Sequence, residues 1–312
     1  MNLDDLVERC TFPPVGSPLT CAVSGGPDSV ALLVLASHAG CDVTAIHVDH
    51  GLRAGSAAEA DIVAEAASRV GAAFRSERVV VEPGPNLEAR ARAARRAVLG
   101  GAATGHTSDD QAETVLGNLL RGTGPDGLAA MRAGPHHPIL ALRRVETHAV
   151  CASLDLRTVT DPSNLDPRHR RNRLRHEVLP LLADVAGRDP VPLLVRAAEH
   201  SRSAADELAA QASMIDPTDA AALAAASPEL ARRAIREWLR APSPERHPPD
   251  AAAVDRVLAV ARGEVVATEI GGGIRVARTG GRLRVDLPPA RPTSRPGPGP
   301  TNGPDRGLRP SG

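Results

Sequence analysis

Chemically active side chains are concentrated first in a hexapeptide near the amino terminus, Ser24-Gly25-Gly26-Pro27-Asp28-Ser29. The apolar run before it, residues 19–23, predicts a buried strand, and the run after it, residues 30–36, predicts a helix. At such a turn the first N–H groups of the helix have no partners, and glycines let a bound group approach the backbone closely. The hexapeptide therefore predicts an anion site whose natural ligand is phosphate.

The hexapeptide differs from the common phosphate loop, in which a lysine reaches the outer phosphates. This chain contains no lysine, so another cation must neutralise the phosphates. Asp28 fits that requirement if it holds a divalent metal such as Mg²⁺ that bridges them. The alternative is an ordinary strand-to-helix turn in which Pro27 begins the helix and Asp28 interacts with its dipole. The hexapeptide alone leaves both interpretations open.

A second dense stretch, residues 104–114, places His106, Asp109, Asp110 and Glu113 after a short apolar segment. A capping box of Asp110 and Glu113 would give these two acids a structural role, but it would leave the adjacent Asp109 without one. Adjacent carboxylates repel each other unless a cation lies among them. Magnesium, held by Asp109 and Asp110, or the ammonium group of a substrate would satisfy them.

Five arginines fall between residues 168 and 175, and they form the only dense basic patch of the sequence. Such a run is usually a solvated surface. Here its density and its lack of interleaved acids favour contacts with phosphates. Over the whole chain, basic and acidic residues balance at 37 each, so a surface that binds nucleic acid must be local.

The elements that must position these residues alternate between strand and helix. Strands are predicted near residues 19–23, 42–48, 74–81 and 102–105, and helices near residues 56–70 and 87–99. This order predicts an α/β fold, a parallel twisted sheet with helices on both faces, in which the polar turns meet at the carboxyl ends of the strands. The turn after the second strand adds His50 and Arg53, and the helix after the third adds Glu88.

The organisation changes past residue 190. We predict a catalytic domain over residues 1–190, a small mostly helical domain with a terminal β-hairpin over 191–287, and a disordered tail over 288–312, which is rich in proline and glycine. The four cysteines are scattered without a Cys-x-x-Cys pair, which leaves metal and redox sites without support. The longest apolar run is too short to span a bilayer, so we expect a soluble, cytoplasmic protein without a membrane partner.

The hexapeptide resembles the pyrophosphate-binding loop of the ATP pyrophosphatase superfamily. Across roughly residues 17–182, the motifs are similar in order to those of the tRNA(Ile)-lysidine synthetase family. They are the loop at Ser24, the turn at residues 47–53, residues 86–88, His106 with residues 109–114, residues 120–122 with 127–128, and residues 161–164 leading into Arg171, Asn172 and Arg175. The resemblance implies the adenine-nucleotide alpha-hydrolase-like fold.

The family activity that the resemblance implies is ATP-dependent ligation of free L-lysine to the wobble cytidine of isoleucine tRNA with a CAU anticodon. ATP and Mg²⁺ would be required, and the oligomeric state stays open, with a homodimer as one option. The implied sites fall into three sets. ATP would contact Ser24, Gly25, Gly26, Pro27, Asp28, Ser29 and Ile46; catalysis would use Asp28, His106, Asp109, Asp110 and Glu113; lysine and tRNA would contact His50, Arg53, Glu88, Arg121, Arg171, Asn172 and Arg175.

Two alternatives remain from the sequence. A tRNA thiolation enzyme of the same superfamily would use the same adenylation and then deliver sulfur, but it would need positioned cysteines, and Cys21 fits a buried strand better. An ATP-binding module without chemistry would need neither the acids at residues 109–113 nor the arginine patch.

Overall fold

The computed structural model describes residues 2–49, 56–79, 90, 97–159, 166–240 and 249–287. Within the chain, two compact units separate at Glu207 and Leu208, inside a long helix and past the predicted boundary at residue 190. The predicted tail, residues 288–312, and the predicted turn at residues 161–164 lie outside the described residues.

The first unit contains a four-stranded sheet whose described pairs are all parallel, which confirms the predicted α/β class. Its strands run in the order β3-β2-β1-β4. The chain therefore builds outward from β1 to β3 and then returns to the other side of β1. In open parallel sheets the ligand site lies at such a switch point, beyond the carboxyl ends of the strands. The strands are β1 (Pro18–Ala22), β2 (Asp42–Asp49), β3 (Ala73–Arg78) and β4 (Ala103–Thr104).

The helices predicted after the Ser24–Ser29 loop and over residues 56–70 are confirmed, as Pro27–His38 and Ser56–Arg69. Only residues 90 and 97–99 of the helix predicted over 87–99 are among the described residues. The glycine-rich stretch at residues 122–128 predicts an irregular loop after a helix, yet it contains one helical turn, which begins at Pro125. The helices are α1 (Leu3–Val7), α2 (Pro27–His38), α3 (Ser56–Arg69), α4 (Ser108–Leu119), α5 (Pro125–Leu128), α6 (Arg144–Ser153), α7 (Arg170–Arg173), α8 (Leu179–Ala186) and α9 (Val191–Ser213), with a π-helical turn over Leu174–Val178.

Helix α2 is the centre of the first core. Every residue from Ser29 to Ala36 is buried, because α2 packs against β1 and β2 as well as against α6. A helix that is apolar on all sides is stable only when it is covered on all sides. The amino terminus of α2, which carries the Ser24–Ser29 loop, is therefore held on a rigid element.

The second unit is mostly helical and ends in an antiparallel sheet. The predicted hairpin is present as β6 and β7, and β5 pairs with β6 as a third strand. Trp238 is partly buried against the apolar cluster around Ile235 and Val257. Among the described residues, no helix is long and apolar enough to cross a membrane. The elements are α10 (Ala220–Ala225), α11 (Pro228–Arg240), α12 (Ala251–Arg262), β5 (Ala267–Glu269), β6 (Arg275–Thr279) and β7 (Arg282–Asp286).

Candidate active site

The loop between β1 and α2 is organised around the hydroxyl of Ser29. The Ser24 N–H donates to Ser29 Oγ over 3.1 Å, and that hydroxyl donates to the Gly26 carbonyl over 2.8 Å. Gly25 has a φ of +85°, a conformation that favours glycine. A side chain there would also meet Val159, whose Cγ2 lies 2.7 Å from an ideal Cβ position.

Backbone donors of this loop are available to a ligand. The N–H groups of Gly25, Gly26 and Asp28 donate to no other group in the described part of the chain. They lie at the start of a twelve-residue helix, where the helix dipole favours negative charge. This arrangement supports the predicted anion site over the alternative of an ordinary turn.

Gly105, directly after β4, packs against the backbone of the loop. An ideal Cβ at this position would lie 2.6 Å from the Asp28 carbonyl oxygen and 2.9 Å from Ser29 Cα. Since only glycine permits this approach, β4 and the loop form one wall of the site. His106, the next residue, is therefore placed beside the loop.

Replacing Gly105 with alanine should displace the loop and weaken ATP binding, because the added methyl group meets backbone rather than a movable side chain. Overpacking of this kind costs about 1 to 3 kcal/mol. Calorimetric titration with ATP and thermal melting would measure both effects. Gly124→Ala is the matched control, since its Cβ has no neighbour within 4 Å. Unchanged ATP affinity in Gly105→Ala would contradict the described contact.

Asp28 faces three residues of α6 that the sequence analysis did not identify. The Thr147 hydroxyl donates to Asp28 Oδ1, Arg144 Nε lies 3.5 Å from Oδ2, and His148 Nε2 lies 4.0 Å from Oδ1. Their spacing of three and four residues places them on one face of the helix. Desolvation raises the pKa of Asp28, although the Thr147 hydrogen bond and Arg144 oppose the shift.

Arginines surround the acid pair Asp110 and Glu113 of α4. Arg144 Nη2 lies 2.7 Å from Asp110 Oδ1 and 3.3 Å from Glu113 Oε1. Arg171 lies 2.9 Å from Asp110 and 2.6 Å from Glu113, and Arg175 Nε lies 2.7 Å from Glu113 Oε1. The Glu113 side chain is fully buried. Desolvation opposes ionisation of Asp110, but Arg144 and Arg171 outweigh it, so the Asp110 pKa is lowered.

Asp109 has a separate set of partners. Both of its oxygens bind Arg143 at 3.0 Å, and Oδ2 also accepts the Arg144 N–H at 2.8 Å. Desolvation opposes its ionisation, but these hydrogen bonds outweigh it and lower the Asp109 pKa. The cation that the adjacent carboxylates require is thus supplied by the protein, as guanidinium groups.

The oxygens of Asp109 and Asp110, two of the predicted metal ligands, already have hydrogen-bond partners in the protein. Asp110 Oδ2 accepts hydrogen bonds from Thr107 N–H and Oγ1, and Oδ1 faces three guanidiniums, while both Asp109 oxygens are engaged as described above. In the described residues, no group of three His, Cys, Asp or Glu could hold a metal. The oxygens of Asp109 and Asp110 are thus engaged by groups of the protein, and the metal role predicted for these two residues stays a prediction. The capping box is also one turn earlier than predicted, formed by Thr107 and Asp110.

Most arginines of the patch at residues 168–175 pair with carboxylates of the protein. Arg168 pairs with Asp166 at 2.6 Å and Arg173 with Glu177 at 2.8 Å, in addition to the contacts of Arg171 and Arg175 with α4. Asn172 is buried and donates to the Asp166 carbonyl. The run itself contains no acid, but acids from outside it pair with its arginines, so a phosphate would compete with carboxylates for four of the five arginines.

His106 is held by Thr104, whose Oγ1 lies 2.7 Å from His106 Nδ1 and 2.9 Å from His137 Nδ1. Other predicted site residues are more scattered. Ile46 is buried on β2, and Arg121 lies exposed at the end of α4, where it donates to Asn118. His50, Arg53 and Glu88 lie outside the described residues.

A parallel sheet with a glycine-containing loop at its switch point, and a carboxylate inside that loop, is the arrangement expected of a PP-loop ATP-binding protein. Comparison agrees with this class, since residues 3–182 match the PP-loop domain family. Residues 219–288 match the TilS substrate binding domain. The chain belongs to the tRNA(Ile)-lysidine synthase family, because curated relatives of that name are 39% and 44% identical to it over 87% and 70% of its length.

Two relatives illustrate the similarity. The chain is 44% identical to the tRNA(Ile)-lysidine synthase of Mycolicibacterium paratuberculosis over 238 residues, which cover 70% of this chain and 73% of the relative. It is 39% identical to that of Nocardia farcinica over 296 residues, 87% of this chain and 92% of the relative. Among solved structures, a U34-tRNA thiolase from Methanococcus maripaludis is similar with a TM-score of 0.49 and 17% identity, over 64% of this chain and 77% of that chain.

Proposed function

We propose that the protein uses ATP to attach free L-lysine to C2 of the wobble cytidine of isoleucine tRNA with a CAU anticodon. The observation that carries this proposal is the direct connection between an anion loop and an acid pair. Arg144 contacts Asp28 in the loop and both Asp110 and Glu113 in the pair. A ligation through an adenylated intermediate needs both a phosphate site and a site for a cationic amine.

The loop serves the first half-reaction. The C2 oxygen of the cytidine attacks the α-phosphorus of ATP, an adenylate bond forms, and pyrophosphate leaves. The N–H groups of Gly25 and Gly26 and the Ser24 hydroxyl are the donors that would hold the departing phosphates. Ile46, at the neighbouring strand, would lie beside the nucleoside.

The acid pair serves the second half-reaction. The side-chain amine of lysine has an ordinary pKa of about 10.4, so it arrives as an ammonium group and must lose a proton before it attacks C2. Asp110 and Glu113 would bind this ammonium by exchanging one guanidinium partner for it. His106 would accept the proton, and AMP would leave with the C2 oxygen.

Among the described acids of this site, Asp28 is the one within the phosphate loop, and it would hold Mg²⁺. One carboxylate together with phosphate oxygens of the substrate is a usual environment for Mg²⁺ in proteins. When bound there, the metal would neutralise phosphate charge that this chain has no lysine to neutralise. Thr147 holds the Asp28 carboxylate in orientation by donating to Oδ1.

Arg171 and Arg175, both of which also contact the acid pair, are proposed to bind tRNA phosphates. Replacing both with glutamine should weaken tRNA binding and flatten its salt dependence, each lost phosphate contact reducing the logarithmic slope by about 0.7 to 0.9. Binding assays across a salt series would measure this. Arg157→Gln, which removes a surface pair with Glu65, is the control. An unchanged slope together with a large loss of melting temperature would assign both arginines to the ion-pair network alone.

The thiolation alternative is disfavoured by the state of the cysteines. Desolvation raises the pKa of Cys21 and of Cys10 to about 12, and that of Cys151 to about 11, so these thiols stay protonated. Sulfur transfer needs accessible thiolates. A cytoplasmic location and a homodimer stay predictions.

One assay separates the three candidate functions. AMP formation should require both CAU-anticodon tRNA and lysine, and labelled lysine should be incorporated into the tRNA. AMP formation with a sulfur donor in place of lysine would indicate thiolation. ATP binding without any AMP formation would indicate a module without chemistry.

A further inference from the structure

Two successive residues of α4 join its start to the start of α6. Ser108 donates both its N–H and its hydroxyl to the Leu142 carbonyl, over 2.8 and 3.0 Å. Asp109, the next residue, accepts at Oδ2 the N–H of Arg144, the first residue of α6, over 2.8 Å. That N–H has no acceptor within its own helix, and the helix dipole favours a carboxylate beside it. Asp109 therefore fixes the position at which α6 begins.

Asp109 also holds the residue before the helix. Its two oxygens accept hydrogen bonds from Nε and Nη2 of Arg143, both over 3.0 Å, and such a two-bond pair of arginine and carboxylate is geometrically specific. The Asp109 side chain is only 16% exposed, so solvent ions screen the pair little. Arg143 pairs through Nη1 with a second acid, Asp189. The backbone on both sides of the helix start is thus tied to Asp109.

The position of this helix start matters because Arg144 contacts both candidate sites. Arg144 Nε lies 3.5 Å from Asp28 Oδ2, in the Ser24–Ser29 loop. Its Nη2 lies 2.7 Å from Asp110 Oδ1 and 3.3 Å from Glu113 Oε1, in the acid pair. A displacement of the backbone at Arg144 would therefore move the guanidinium relative to the loop and the acid pair at the same time.

We propose that Asp109 is a positioning residue that fixes Arg144 between the loop and the acid pair, and that it affects both half-reactions through this arginine. The inference rests on the proposed function. Both Asp109 oxygens are engaged by Arg143 and Arg144, which supports a role within the protein rather than at the substrate. A metal-binding role is the competing assignment for Asp109, and the two roles differ in what they predict for variants of Arg144.

Replacing Asp109 with alanine should slow pyrophosphate release and lysine transfer together, each about 10- to 100-fold, because a misplacement of about 1 Å at a reacting centre costs up to about 100-fold. Asp109→Asn keeps an acceptor for the Arg144 N–H and should recover part of both rates. Asp189→Asn is the matched control, since it changes the other acid that pairs with Arg143 and leaves the Arg144 N–H bond in place. Its rates in single-turnover assays should equal those of the wild type.

A double-mutant cycle with Arg144→Gln tests whether Asp109 acts through that arginine. In the Arg144→Gln background, Asp109→Ala should slow either step by less than about twofold, because the group that Asp109 positions is already absent. If Asp109→Ala melts below the assay temperature, Asp109→Asn takes its place in the cycle, and its own loss should disappear in that background.

Two outcomes would overturn the proposal. A purely structural role of Asp109 would multiply the two losses in the double variant. A metal-binding role would raise the Mg²⁺ concentration needed for half-maximal pyrophosphate release, with or without Arg144. Failure of the proposed function is distinguishable from both, since it would appear in the wild-type protein as no lysine transfer with ATP, tRNA and lysine present.

Discussion

Replacing Asp28 or Ser29 with alanine is expected to reduce tRNA-dependent pyrophosphate release by about 100-fold or more, the range found for lost electrostatic stabilisation at a reacting centre. Asp28→Ala removes the carboxylate that faces the phosphates. Ser29→Ala removes the hydroxyl that accepts from Ser24 N–H and donates to Gly26, so the loop loses its fixed shape. Rapid-quench measurement of pyrophosphate from labelled ATP would report the loss directly.

Helix α2 supplies a matched control for the serine variant. The Ser37 hydroxyl is buried and has no hydrogen-bond partner in the described part of the chain, so Ser37→Ala should leave both stability and pyrophosphate release unchanged. Wild-type pyrophosphate release by Ser29→Ala, with Ser37→Ala as reference, would contradict the assignment of the loop to ATP.

Replacing Glu113 with glutamine should separate the two half-reactions. The variant is expected to release pyrophosphate in the presence of tRNA, yet to need about 100-fold more lysine or more to form product. Removing one partner of a buried charge pair costs about 3 to 5 kcal/mol, and each 1.4 kcal/mol is tenfold in affinity. Single-turnover assays that follow pyrophosphate and lysine incorporation separately would measure both effects. Asp110→Asn should behave similarly.

The ion-pair network requires a second variant, because Glu113→Gln alone leaves Arg171 and Arg175 without one of their carboxylates. The double variant Glu113→Gln with Arg175→Gln removes one charge of each sign and should preserve folding better. Glu146→Gln, which changes an acid that pairs with Arg9, is the control. If every acid variant lost pyrophosphate release as completely as Asp28→Ala, the acid pair would belong to the first half-reaction.

Local sequence patterns were sufficient to predict the position of the Ser24–Ser29 loop between a strand and a helix. The apolar runs on either side of Ser24–Ser29 predict a strand and a helix, and the structure has β1 and α2 at those positions. Gly25 and Gly105 both lie in close contact with neighbouring atoms, as only glycine permits. The contact of Gly105 depends on the packing of β4 against the loop, which the local sequence does not show. The alternation of strands and helices predicts a parallel sheet, and the parallel direction of the strands is confirmed.

Long-range pairing could not be predicted in the same way. Arg144 and Arg171 contact Glu113 although they are 31 and 58 residues away from it in the sequence. The local sequence around each arginine does not indicate that its partner is Glu113. The sequence of residues 143–156 predicts a helix, and the spacing of Arg144, Thr147 and His148 on one face of that helix is the signal that could have identified them. The apolar spacing of α4 predicts a buried face of Val115, Leu116, Leu119 and Leu120, but the last two are exposed, and the buried face ends near Leu116.

The most direct test is the release of pyrophosphate from ATP by the wild-type protein with CAU-anticodon tRNA and without lysine. If the loop and the acid pair serve separate half-reactions, pyrophosphate should appear as a burst of about one equivalent per enzyme, and AMP should follow only when lysine is added. No pyrophosphate until lysine is present, or release that does not depend on tRNA, would contradict an adenylated tRNA intermediate formed at the Ser24–Ser29 loop.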